Sequence, residues 1–171
     1  FMLILALMQP RLEGIGRGGG RTVLLIDRSG SMGVLREQVI ASYNDFIDDQ
    51  KTVESDASVS LIQFDDKYEP NYTNIDIQAA SELTTTTYEP RGSTALFDAI
   101  GRAISEAQDR IKPGSSDVVF VITTDGLENA STDYSGEQIK ELIADCEDQY
   151  GWHFMYLAAS DDAFNQHQDM G

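Results

Sequence analysis

Two hydrophobic periods alternate along the chain. Val23, Leu24, Leu25 and Ile26 make residues 22–27 a short continuous apolar run, read as a strand covered on both faces. Val34, Leu35, Val39, Ile40, Tyr43, Phe46 and Ile47 then recur at spacings of three and four, which predicts an amphipathic helix over residues 33–50. Residues 58–64 (SVSLIQF) read as the next strand and Asp65-Asp66 as a tight polar turn. Residues 67–74 read as a returning antiparallel edge strand, and residues 75–83 as a short helix. The polar stretch 84–93, with Pro90 and Gly92, is a loop. Leu96, Ala99, Ile100, Ala103, Ile104, Ala107 and Ile111 form the cleanest helical stripe, stopped by Lys112-Pro113-Gly114. A buried strand (117–124), a helix (136–148), a strand (152–159) and a last helix from Asp161, left short, complete the pattern.

Strands separated by helices of ten to eighteen residues imply right-handed crossovers. The predicted fold class is therefore α/β: a doubly wound, mostly parallel, Rossmann-like sheet with one antiparallel edge strand. In such sheets ligands bind beyond the carboxyl ends of the strands, where the strand order reverses. The strands ending at Asp27 and Asp125 are expected to be neighbours there, so that their carboxylates share a crevice. Residues 1–20 stand apart as an apolar arm (1–8) with a Gly-rich linker, and residues 21–171 form the domain. At roughly 1.5 Å per residue the arm is too short to cross a bilayer, and no basic segment precedes it as in an intact signal peptide. It is read as packing on the domain or as a self-assembly arm, since eight exposed apolar residues would promote aggregation.

Charge narrows the partners. With 29 acidic and 12 basic residues the chain carries −17, which repels nucleic acid and anionic membranes and attracts cations. The single Cys146 excludes an internal disulfide and reads as a core residue, and the two histidines are too scattered for a zinc site, His153 being explained by packing within an apolar strand. Localisation is weakly constrained, with the cytoplasm or a viral or cellular assembly favoured.

The candidate chemistry begins at Asp27-Arg28-Ser29-Gly30-Ser31-Met32, directly behind the first strand. One carboxylate followed by hydroxyls at alternate positions is suited to a hard divalent cation. Turn and helix-cap roles for the same residues remain open: Ser31 and Thr94 could each be an N-cap, and Asp125 a turn residue before Gly126. Arg28 and Arg91 read as solvated surface residues, Met32 and Tyr88 as residues that could line the rim, and Glu128 and Asn129 as turn caps or helpers of a second ion.

Asp27-x-Ser29-x-Ser31, the Gly92-Ser93-Thr94 loop and Thr124-Asp125-Gly126, in that order, resemble the metal-ion-dependent adhesion site of von Willebrand factor A domains, of the free-standing prokaryotic or viral type. The resemblance runs over about residues 22–164. It implies that Ser29, Ser31 and Thr94 bind the metal through hydroxyls, with Asp27 and Asp125 acting mainly through water and hydrogen bonds. Mg²⁺ is the expected ion, with Mn²⁺ or Ca²⁺ as alternatives. Charge held outside the first ring of ligands leaves the ion electrophilic, so that it accepts an Asp or Glu of a protein partner. The expected function is a non-enzymatic, metal-dependent interaction module. An accessory subunit of a larger assembly, such as a partner of an AAA+ ATPase, is the alternative. A phosphohydrolase is disfavoured because position 29 is Ser, no Lys lies between Lys112 and Lys140, and no Gly-Lys-Ser/Thr phosphate loop is present.

Overall fold

The apolar runs become the central strands of one sheet. The computed structural model describes residues 20–53, 56–115, 117–125 and 128–158. Among them β1 (Arg21–Asp27), β2 (Ser58–Phe64), β3 (Tyr68–Asp76), β4 (Val118–Thr124) and β5 (His153–Ala158) lie in the order β3-β2-β1-β4-β5. β1 pairs in parallel with β2 and β4, and β4 in parallel with β5, while β3 runs antiparallel on the edge beside β2. The chain winds outward from β1 to β3 and returns to β4 on the other side. The order thus reverses between β1 and β4, as the doubly wound reading requires.

β1 reads as an unbroken apolar run because both faces are covered. Alternate side chains of a strand point to opposite faces. Val23 and Leu25 join Ile62, Phe64, Phe120 and Ile122 under helices α2 (Leu96–Gln108) and α3 (Gly136–Asp145). Leu24 and Ile26 join Leu61 and Val121 under helix α1 (Arg36–Lys51) and the segment from Ile77 to Tyr88. Phe120 stacks on Phe154 at 4.8 Å between ring centroids, extending the first layer to the β5 edge. Cys146 is fully buried in that layer, as expected. His153 differs from expectation: it stands exposed at the start of the edge strand β5, where nothing needs to cover it.

Three boundaries differ from the sequence pattern. Residues 30–35 form a 3₁₀ turn (Gly30–Leu35) ahead of α1, so the period over this stretch is three and not 3.6. Val34, expected on the buried stripe, is consequently 89% exposed. The predicted helix at 75–83 does not form: Ile75 pairs with Val59 and Asp76 with Ser58 at the end of β3, and a single 3₁₀ turn (Ile77–Ala79) follows, whose Gln78 N–H donates to the Asp76 carboxylate at 2.8 Å. The helix at 136–148 ends as α3 at Asp145 and continues as a π turn (Cys146–Tyr150), closed by Gly151 in the left-handed region (φ 68°). The apolar arm, its linker as far as residue 19 and the helix expected from Asp161 lie outside the described residues, and no described helix is long and apolar enough to cross a membrane.

Gly101, inside α2, offers a test of this packing. In a helix interior Gly→Ala ordinarily stabilises by about 1 kcal/mol. A Cβ at Gly101 would lie 2.7 Å from three ring carbons of Tyr134, whose N–H is tied to Asp98 Oδ1 at 2.9 Å. Overlap therefore outweighs propensity, and Gly101→Ala is expected to lower the chemical-denaturation midpoint. In a Tyr134→Ala background the same change should become neutral or stabilising, which a double-mutant cycle measures.

Candidate functional site

Asp27 ends β1 fully buried. Its Oδ1 accepts the Ser29 N–H at 2.7 Å and its Oδ2 accepts the Thr124 hydroxyl of the neighbouring strand at 2.8 Å. Tyr88 donates its hydroxyl to the Asp27 carbonyl at 2.7 Å. Carboxylate and backbone are thus held from three sides, at the point where the sheet order reverses. Ser29 is buried and Ser31 exposed, with their hydroxyls 3.1 Å apart.

The capping roles are not taken up. The residue before the 3₁₀ turn is Ser29, without a side-chain cap, and Ser31 lies inside the turn. Helix α2 begins at Leu96 with Ala95 at its N-cap, so the buried Thr94 does not cap it.

Residues 91–95 draw the separate segments together through backbone hydrogen bonds. Arg91 N–H donates to the Arg28 carbonyl at 2.7 Å, and Gly30 N–H to the Gly92 carbonyl at 3.1 Å. Thr94 N–H donates to Asn129 Oδ1 at 2.9 Å, while the Thr94 carbonyl accepts from Asn129 and Ala130 N–H, both at 3.0 Å. Ala95 N–H donates to the Asp65 carbonyl at 2.9 Å. Gly92 has φ 66°, in the left-handed region that favours glycine. Asp125 follows β4, and its charge acts on Asp27. All five candidates, Asp27, Ser29, Ser31, Thr94 and Asp125, therefore lie on segments that meet at one end of the sheet. Gly126 falls outside the described residues.

Several neighbours differ from their sequence reading. Arg28, expected in solvent, is buried: its Nε donates to Asp65 Oδ2 at 3.0 Å and its Nη2 lies 2.9 Å from Glu69. Asp65 lies in the hairpin between β2 and β3, as expected, but is fully buried; it also accepts the Lys67 N–H at 2.7 Å and Arg91 Nε at 3.0 Å. Burial pushes its carboxyl up, but the Arg91 hydrogen bond, the Lys67 amide and Arg28 together hold it below the usual range. Arg91 is half-exposed, so its share of this network is weak. Met32 and Tyr88 are core residues and do not line a rim. Glu128 fastens a loop, accepting from Phe97, Ala130 and Ser131 N–H and from the Ser131 hydroxyl. Tyr88, Thr124 and the Asn129 amide support the site through contacts that carry no sequence signal, apart from the position of Thr124 beside Asp125.

The donor set is two carboxylates and three hydroxyls. Among the described residues no group of three or more His, Cys, Asp or Glu side chains could hold a metal. The two serine hydroxyls hydrogen-bond to each other at 3.1 Å. That separation also suits the fit, because neighbouring ligands about 2.1 Å from an octahedral Mg²⁺ are roughly 3.0 Å apart.

Burial raises the Asp27 carboxyl from its ordinary value near 3.8 to about 6; the Asp125 charge adds to this, and the Ser29 and Thr124 hydrogen bonds oppose it. A raised carboxyl contributes stability below its unfolded value that is lost as pH rises through 6, on the order of 3 kcal/mol in the metal-free protein. Asp27→Asn keeps an oxygen for the Ser29 N–H. In chelator it is expected to raise the melting temperature at pH 8 and to change it little at pH 4; a lower value at pH 8 would contradict this electrostatic account.

The profile of the von Willebrand factor type A domain matches residues 22–171. No curated protein gives a significant sequence match. Similar solved structures include a von Willebrand factor type A protein from Catenulispora acidiphila, at 18% identity and TM-score 0.58, covering 81% of this chain and 32% of that one. The manganese-loaded TRAP protein of Plasmodium vivax follows at 15% and 0.59, covering 89% and 62%. The conserved hypothetical protein BatB from Bacteroides thetaiotaomicron does so at 18% and 0.55, covering 82% and 66%. At these identities the likeness is one of fold, and the chain spans about a third of the first protein and under two thirds of the others. On the extent of the profile match and the shared fold, the chain belongs to the von Willebrand factor type A domain family, whose members generally mediate protein–protein interaction and not catalysis.

Proposed function

We propose that this domain is a metal-dependent protein-interaction module of the metal-ion-dependent adhesion type. The observation that carries the reading is the pair of serine hydroxyls, Ser29 and Ser31, neither of which caps the turn and which lie 3.1 Å apart beside the buried Asp27 carboxylate. Ser29, Ser31 and Thr94 would hold Mg²⁺ through neutral oxygens, and Asp27 and Asp125 would supply the balancing negative charge. Mn²⁺ or Ca²⁺ are the alternatives, and a manganese-loaded protein of the same fold supports a divalent ion in general. Bound there, the ion supplies a Lewis-acidic position that accepts a carboxylate.

This chain's own residues account for the rest. The Thr124 hydroxyl and Ser29 N–H orient the Asp27 carboxylate, and Asn129 holds the Thr94 backbone at both its N–H and its carbonyl. Such prior ordering reduces what is lost on binding. With charge −17 the body of the domain repels an acidic partner, which makes the cation the position at which an Asp or Glu side chain is favoured.

Ligand linkage gives the test. Mg²⁺ at 100 times its Kd is expected to stabilise the fold by roughly 2.7 kcal/mol, read as a rise in melting temperature. Ser29→Ala and Asp125→Ala should each remove that rise while leaving the metal-free protein folded. A wild-type melting curve indifferent to Mg²⁺, Mn²⁺ and Ca²⁺ contradicts the proposal.

A further inference from the structure

The 3₁₀ turn Gly30–Leu35 presents three faces, because side chains three apart eclipse one another. One face enters the core: Met32 is fully buried, and Leu35 packs on the same apolar layer. The second lies against the 90–92 loop, with a Cβ on Gly30 placed 3.5 Å from the Gly92 carbonyl and one on Gly33 placed 4.0 Å from Pro90 Cβ. The third carries Ser31 and Val34, both exposed, and Val34 at 89% is the most exposed large hydrophobic side chain among the described residues. Residues 29–35 contain no charge, although the chain as a whole is strongly acidic.

The geometry points to Val34 as a specificity-determining contact that reads an aliphatic side chain next to the carboxylate of a protein partner. The inference rests on the metal-binding reading of Ser31. At about 2.0 Å rise per residue, Ser31 and Val34 are roughly 6 Å apart along the turn. Side chains on one face of an extended strand, two residues apart, are separated by roughly 6.7 Å. The matching partner is an extended segment with Asp or Glu at one position and Val, Leu or Ile two positions away. Charge favours such a short contact: a carboxylate reaches the uncharged turn without meeting an acidic side chain from residues 28–36, whereas a broad interface would set an acidic partner, or a second copy of this chain, against the −17 body.

The probes are short blocked peptides with one Asp in a glycine context, and with Leu at the adjacent position, two positions away, or absent. Binding is measured by fluorescence anisotropy in Mg²⁺, alongside the Mg²⁺-induced rise in melting temperature. Leu two positions from Asp should strengthen binding by about five- to ten-fold over glycine. Val34→Ser should abolish that gain yet keep the dependence on Asp and the rise in melting temperature. The inference is overturned if the wild type shows no preference for the Leu peptide, or if Val34→Ser retains it. Binding of no peptide, with the rise in melting temperature intact, overturns this inference and leaves the metal reading standing. An absent rise removes that reading, and the inference with it. A Mg²⁺-dependent dimer that Val34→Ser dissociates would assign the contact to a second copy and overturn the choice of partner.

Discussion

The Thr124 hydroxyl reaches across the reversal of strand order to the Asp27 carboxylate, and the arrangement of the site depends on that crossing. It exists because β1 and β4 are parallel neighbours, with Ile26 opposite Thr123, so their carboxyl ends leave the sheet side by side. A fully buried carboxylate is costly unless partners hold it. Here a backbone N–H and a hydroxyl satisfy both oxygens, and the Asp27 carboxyl is still raised to about 6. Part of the fold's stability is thereby committed to keeping negative charge where a cation could use it, an arrangement common at functional sites.

Around this pair the segments are tied together by hydrogen bonds. The 91–95 segment is bonded to the residues after β1, to Asp65 after β2 and to the Asn129 loop after β4. The 128–134 loop is fixed in turn by Glu128 and Asp98, which together accept the N–H groups of residues 130 to 134. The buried Arg28–Asp65 pair sits beneath the same junction. Isolated buried ion pairs add little net stability, but losing one partner strands the other. Its evident effect is to fix the loop after β1 relative to the hairpin after β2.

What was legible in sequence follows from the range of each interaction. β1, β2 and β4 appear as mainly apolar runs because the sheet is covered on both faces; the reversal is legible only on the premise of a Rossmann-like strand order, because right-handed crossovers also occur in singly wound sheets. The convergence of the Asp27, Thr94 and Asp125 segments was then a matter of topology. Arg28–Asp65 and Thr94–Asn129 left no trace, since partners 37 and 35 residues apart create no periodicity. Residues 30–35 misled for a different reason: spacings of three and four do not distinguish a 3₁₀ turn from an α-helix over six residues, and Val34 changed sides as a result. Ile75 and Asp76 were lost to the sheet because strand pairing overrode a weak local helical pattern.

The most direct test of the central claim is anomalous diffraction from crystals of the domain grown with Mn²⁺. The account predicts one strong peak within bonding distance of both the Ser29 and Ser31 hydroxyls, at the mouth of the β1–β4 crevice. A peak confined to the acidic surface, or none while the protein diffracts well in saturating Mn²⁺, would contradict it.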